Sequence, residues 1–250
     1  VSTDADTTPT AQPGGGTEDT LDLRLPDELL SLLTTDTADP AAGPTDSTTC
    51  DTGPGSPSDD TDLLDTPAAW GPATTSVGVF QFVPVRIERD LPLITRWMND
   101  PAVAAFWELA GAEEITADHL RRQLRGDGRS VPCLGTLGGV PMSYWEIYRA
   151  DLDPLARHYP ARPHDTGLHL LIGGVADRGR GVGTTLLRAA ADLVLDNRPH
   201  CARVVAEPDL RNTPSISAFL SAGFRFSAEA DLPDKRAALM VRDRAHRAVL

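Results

Sequence analysis

The sequence predicts an α/β protein with a mixed sheet flanked by helices, preceded by a disordered N-terminal extension. Three observations carry this. Residues 166–196 run from an apolar strand through a glycine-rich junction into an amphipathic helix. Residues 131–148 read as two strands joined at Gly138-Gly139, a two-residue hairpin turn. The third is an abrupt change in composition near residue 75.

The chain has 250 residues and a net charge of −13. Residues 1–75 hold 15 Asp/Glu and one basic residue, Arg24, for −14, so residues 76–250 sum to about +1. The first segment is rich in Thr, Asp, Pro, Gly and Ser, and buries too little apolar surface to offset its ordering entropy. It is expected to be a disordered acidic extension, with 76–250 as the folded domain. Within it only Leu21 to Leu33 has the pattern of a short amphipathic helix after Pro26, read as transient or as a docking segment.

A nearly neutral domain does not point to nucleic acid as a partner. Cys50, Cys133 and Cys201 are far apart and show neither metal spacing nor a disulfide framework, which fits a reducing cytoplasm. No apolar run is long enough to span a membrane, and no basic-then-apolar signal pattern opens the chain. It begins at Val1, as a fragment or a literally translated alternative start codon would. All basic residues but Lys235 are arginine, a bias expected of a GC-rich genome.

The domain is expected to begin near Val77 with the strand-like run VGVFQFVPVRI. A helix follows from Pro92 to Met98. Asp100-Pro101 starts another, with Asp as cap and Pro at the first helical position, and carries Val103, Phe106 and Trp107. Thr116 is read as the cap of a helix to Leu124. After the hairpin, Met142, Tyr144, Glu146 and Tyr148 alternate with Ser143, Trp145 and Ile147, and large residues on both faces place that strand inside the sheet. The His169 strand, its helix and the strand ARVVAE come next. Thr213-Pro214 is read as capping a helix ended by Gly223, and two closing strands follow, Phe224 to Ala230 and Arg236 to Val241.

Glycines at a strand-to-helix junction let a ligand approach the backbone, and the unpaired N–H groups of the first helical turn attract phosphate. Arg178-Gly179-Arg180-Gly181-Val182-Gly183 lacks the order of a dinucleotide fingerprint and the Lys of a P-loop. The pattern resembles the acyl-CoA pyrophosphate loop of the GNAT (Gcn5-related N-acetyltransferase) superfamily. Four further motifs narrow the likeness: Asp100-Pro101 with Phe106-Trp107, Pro141-x-x-Tyr144-x-Glu146-x-Tyr148, Gly167-x-His169-x-x-Ile172-Gly173, and Glu207-Pro208-Asp209-x-Arg211-Asn212. Together they resemble the siderophore-biosynthesis N-acyltransferases, the branch of the mycobactin lysine N-acyltransferase and the aerobactin and desferrioxamine acyltransferases. The likeness covers about Phe80 to Arg242.

That resemblance implies a GNAT fold with a mostly antiparallel sheet, acyl-CoA as co-substrate and no metal. It also implies a small amine acceptor (a lysine, ornithine or cadaverine amine, N-hydroxylated or not) and siderophore-pathway enzymes as partners. It makes His169 and Asp209 catalytic and residues 178–183 cofactor-binding. Asn212 is read as both ordering its turn and contacting the pantetheine arm or leaving thiol, and Tyr144 and Glu146 as either substrate contacts or packing and hydrogen-bonding residues. The unperturbed pKa of histidine, about 6.5, suits proton transfer at neutral pH, and Asp209 follows a strand end, the usual place for site residues in an α/β sheet. Two other readings stand beside this one: an aminoglycoside or polyamine N-acetyltransferase, and a GNAT-like binding module without catalysis.

Overall fold

In the computed structural model of the chain, the residues described are Leu64 and 67–247. The expectations for the rest of the N-terminal segment, including the Leu21 to Leu33 helix, lie outside them. Eight strands form one sheet: β1 (Ala73–Thr75), β2 (Gly78–Pro84), β3 (Ser130–Leu137), β4 (Val140–Arg149), β5 (Thr166–Ile172), β6 (Arg203–Ala206), β7 (Arg225–Asp231) and β8 (Arg236–Asp243). Their order is β1-β2-β3-β4-β5-β6-β8-β7. Every pair is antiparallel except β5–β6. The parallel pair is short, holding register only at Thr166–Val204 and Gly167–Val205. Beyond Gly167 the two strands part.

The described residues before the expected boundary also pack against the domain. Pro67–Trp70 forms a 3-10 turn and β1 pairs with β2, so the expected boundary at residue 75 falls inside a hairpin. Leu64 is buried and its N–H donates to the Gly128 carbonyl, while Trp70 packs edge-on against Phe82. A few apolar side chains buried on one face suffice to recruit an otherwise polar stretch.

Among the described residues, five α-helices cover the sheet: α1 (Ile87–Met98), α2 (Pro101–Trp107), α3 (Glu113–Leu124), α4 (Val182–Asn197) and α5 (Thr213–Ser221). On one face α4 and α5 enclose Phe80, Phe82, Trp145, Ile147 and Leu168. On the other, α1, α2 and α3 pack over Leu134, Tyr144 and Leu171. A bulge opposite Gly135/Thr136 leaves Met142 without a register partner, and it joins the Trp145 side rather than the Tyr144 side expected from alternation.

Three helix starts differ from the sequence reading. α1 begins five residues before Pro92, because the Asp90 carboxylate accepts the Arg86 N–H at 2.8 Å; Pro92 lies on the exposed face inside the helix. α3 begins at Glu113, with two glutamates at its positive end, and Thr116 is buried within it. α5 is capped by Asn212, whose side chain accepts the Ser215 N–H at 3.2 Å. Asp100 does cap α2, accepting the Ala102 N–H at 2.9 Å.

Candidate active site

β4 and β5 place Glu146 and His169 in direct cross-strand register. Both sit on the α1–α3 face, next to the opening between β5 and β6. His169 Nδ1 lies 3.0 Å from Glu146 Oε2, and its Nε2 bonds Glu207 Oε1 just past the end of β6. Ionised carboxylates only accept hydrogen bonds, so a ring held between two of them carries protons on both nitrogens. Burial works most strongly against that charge, but Glu207 and Glu146 outweigh it and push the His169 pKa up to about 10. About a third of the side chain faces the cleft. This departs from the expectation of an unperturbed base, because the two carboxylates favour the imidazolium form of His169.

Each carboxylate is held in turn. Glu146 Oε1 accepts from Tyr144 Oη at 3.0 Å and Gln123 Nε2 at 2.6 Å, and contacts His119 Nε2 at 2.6 Å. Ser130 Oγ donates to Gln123 Oε1, fixing the amide's orientation. Burial raises the Glu146 pKa, but His119 and His169 overcome it and hold the group far below the usual carboxylate range. Glu207 Oε2 accepts from Tyr148 Oη at 2.6 Å, and Lys235 Nζ lies 3.7 Å from Oε1. Burial and the neighbouring Glu207 charge push the Tyr148 phenol well up, so it remains a donor.

Gly167 makes this arrangement possible. A Cβ there would lie 2.0 Å from the Tyr148 ring, which crosses the glycine to reach Glu207. The glycine of the Gly-x-His motif is thus a close-approach position.

A cleft of about 310 Å³ runs through the sheet where β5 and β6 part. Asn212, Ser215 and Phe219 of the α5 region line one end, and Leu168, Leu170 and Ala206 its middle. Trp107, His119, Glu146, His169, Glu207, Asp209, Asp234 and Lys235 line the other end. Leu168, Leu170, Ala206 and Phe219 give the cleft apolar walls, and Glu146, Glu207, Asp209 and Asp234 give it acidic ones. A second cleft of about 270 Å³ shares Glu146 and His169 and extends past Tyr148 to Arg129 and Asp153.

Asp209 reaches the first cleft but does not touch His169 among the described hydrogen bonds. Arg211 caps it instead, through Nη2 to Oδ2 at 2.6 Å and its backbone N–H to Oδ1 at 2.7 Å. That pairing holds the Asp209 carboxyl below its usual range. Tyr144 is fully buried and its hydroxyl donates to Glu146, the packing and hydrogen-bonding role that is its alternative reading. Asn212 combines its capping role with a place in the cleft wall.

In the glycine loop, Gly181 precedes α4 with φ 77°, a left-handed conformation that favours glycine, and no side chain caps the helix. The N–H groups of Val182, Gly183 and Thr184 therefore open the helix toward solvent. Arg180 is exposed beside them. Arg178 is not available in the way expected: its guanidinium donates to the Ile172 and Gly173 carbonyls and to Asp100 Oδ1, tying the loop to β5 and α2. It braces the loop from within.

Residues 86–232 match the acetyltransferase (GNAT) domain family. The chain belongs to the GNAT family. It is 39% identical over 157 residues to the N(6)-hydroxylysine O-acetyltransferase of Escherichia coli, covering 63% of this chain and 50% of that one. It is 38% identical over 154 residues to the lysine N-acyltransferase MbtK of Mycolicibacterium paratuberculosis, covering 62% of this chain and 69% of the relative. The GNAT chain thus spans about half the length of the Escherichia coli relative. A Bacillus halodurans protein described as uncharacterized has a similar solved structure, with TM-score 0.66 and 33% identity over 70% of this chain and 90% of that one. An aminoglycoside acetyltransferase AAC(6')-Ib bound to acetyl-CoA shares the fold at TM-score 0.58 and 23% identity, over 66% of this chain and 94% of that one.

The sequence reading missed Glu207 as a partner of His169, although it lies inside a recognised motif. It also missed His119 and Gln123. These two sit four residues apart on α3 and so share a helix face, but that spacing does not tell which face meets the sheet.

Proposed function

We propose that the chain transfers an acyl group from acyl-CoA to the side-chain amine of a lysine- or ornithine-type acceptor, N-hydroxylated or not, as a step in hydroxamate siderophore synthesis. The observation that carries this is the cleft through the parted β5 and β6, which has the His169–Glu207 pair at its acidic end. The open N-terminus of α4 suits the pyrophosphate, with Gly179, Gly181 and Gly183 admitting it and Arg180 beside it. The apolar passage past Leu168, Leu170 and Ala206 suits the pantetheine arm, and the unpaired edge of β5 offers it backbone hydrogen bonds. The names of the relatives, which act on hydroxylysine and lysine, support the acceptor class.

Glu207, Asp209 and Asp234 attract the acceptor as an ammonium. The nitrogen must be neutral to attack, and an N-hydroxylated amine already is, since its oxygen withdraws electron density. Once nitrogen bonds the thioester carbon it becomes positively charged and acidic, so a carboxylate is base enough to remove its proton. Glu207 is that acceptor in our reading. The His169 imidazolium has both N–H groups committed to carboxylates, so its part is to position Glu207. The buried unpaired thiols of Cys133 and Cys201 suit a cytoplasmic enzyme.

The deciding experiment is coenzyme-thiol release by the purified chain, crossing acetyl-, succinyl-, malonyl- and long-chain acyl-CoA with lysine, ornithine, cadaverine and their N-hydroxylated forms. Release with none of them would reject the proposal. The four acidic residues Glu146, Glu207, Asp209 and Asp234 also suit a polycationic aminoglycoside, and kanamycin in the same assay tests that second reading.

A further inference from the structure

Lys235 is the only lysine among the chain's 23 Lys and Arg residues. It sits in the turn between β7 and β8, closed by the bond from the Leu232 N–H to the Lys235 carbonyl at 2.9 Å. Its side chain lines the cleft through the sheet and keeps 23% of its surface exposed. Nζ lies 3.7 Å from Glu207 Oε1, the same oxygen that bonds His169 Nε2. A primary amine on a flexible stem is therefore one carboxylate away from the imidazole, at the acidic end of the cleft where an acceptor amine must arrive. Arginine would supply the same charge there, but its guanidinium does not give up a proton and is no nucleophile.

We propose that Lys235 is a self-acylation site. The inference rests on the acyl-transfer reading above. In its neutral form Nζ attacks the thioester carbonyl of bound acyl-CoA. A C–N bond forms, the C–S bond breaks, and the coenzyme leaves as the thiolate. The proton lost by nitrogen passes by way of Glu207 to that thiolate, leaving an amide on Lys235 and free coenzyme thiol. The modification removes the cation facing Glu207 and adds bulk to the acceptor end of the cleft.

The test is incubation of the full chain with radiolabelled acetyl-CoA or succinyl-CoA and no acceptor, followed by intact-mass measurement and peptide mapping. One acyl group per chain is expected, on the Lys235 peptide, with a rate that saturates as acyl-CoA rises. Positioning beside a bound thioester should make it at least roughly 10-fold faster than at the same lysine in the urea-unfolded chain. Lys235→Arg, with an unchanged melting temperature, should lose the label. Label confined to the N-terminal amine, or a Lys235 rate linear in acyl-CoA and equal in the unfolded chain, would overturn the proposal. Thiol release with free lysine and N6-hydroxylysine is measured in parallel. Transfer to either with Lys235 unlabelled overturns self-acylation alone, and no transfer anywhere overturns both readings.

Discussion

His169 and Glu207 meet across the gap where β5 and β6 separate, the imidazole Nε2 bonded to the Glu207 carboxylate and Nδ1 to Glu146. The ring is therefore a cation between two anions. By nitrogen-resolved NMR, both ring nitrogens should be protonated at neutral pH and titrate near 10. Glu207→Gln should bring that titration down by a unit or more, since it removes one charge from direct contact. A titration near the ordinary histidine value of about 6.5 would contradict the ion pair.

The same pair gives stability a defined pH dependence. His169 has a raised pKa, so its contribution is complete below about 6.5 and is lost as pH rises through about 10. Glu207 is lowered to about 2, so its contribution is present above about 4.3 and lost as pH falls through about 2. The melting-temperature deficit of His169→Gln relative to the native chain should be largest between about pH 4.5 and 6.5 and shrink on either side. Roughly 2–5 °C is expected at the maximum, discounted because the ring is partly solvated. A deficit independent of pH would mean that the loss is one of packing.

On activity, His169→Ala and Glu207→Gln should each lower kcat by roughly 10²–10⁴-fold with coenzyme affinity nearly intact. The loss should be smaller for N-hydroxylated acceptors than for the parent amines. Turnover at the native rate in either variant would remove that residue from the reaction.

Gly181 and Gly183 separate strain from ligand access. Gly181→Ala places a Cβ at φ 77° and should destabilise by about 1 kcal/mol, read in denaturant. Gly183 has ordinary backbone angles, and a Cβ there meets only Ile172 at 3.6 Å. Gly183→Ala should leave stability unchanged and weaken coenzyme binding by calorimetry, because the methyl group stands at the open helix end. Native affinity in that variant would argue against a pyrophosphate site.

Asp209 and Arg211 form a pair that the acceptor's ammonium can replace. Arg211 is largely exposed, so Arg211→Ala should fold normally and leave acceptor KM equal or lower. Asp209→Asn should raise acceptor KM several-fold while keeping the backbone bond to residue 211. Equal KM in both variants would leave Asp209 a turn residue.

Truncation tests what Leu64, Trp70 and β1 contribute. Removing residues 1–63 should preserve stability and activity, whereas removing 1–75 takes away Leu64, Trp70 and β1 and should destabilise the body. Equal melting temperatures for the two truncated chains would show that the β1 region adds nothing.

Much of this protein is determined by sequence alone, because the signals are local. The hairpin at Gly138-Gly139, the amphipathic α4, the Asp100 cap and the glycine junction each depend on residues a few positions apart. Spaced motifs extended that to the family and to His169. What only the tertiary structure decided is the electrostatics. Glu146, His169 and Glu207 lie 23 and 38 residues apart in the chain, and their meeting depends on strand register and on where β5 and β6 diverge. A pKa is set by charge and solvent within a few ångströms, so the histidine that reads as a neutral-pH base in sequence becomes a cation in the fold. Arg178 is redirected for the same reason: the carbonyls that claim its guanidinium are placed by the end of β5, not by the loop that carries it.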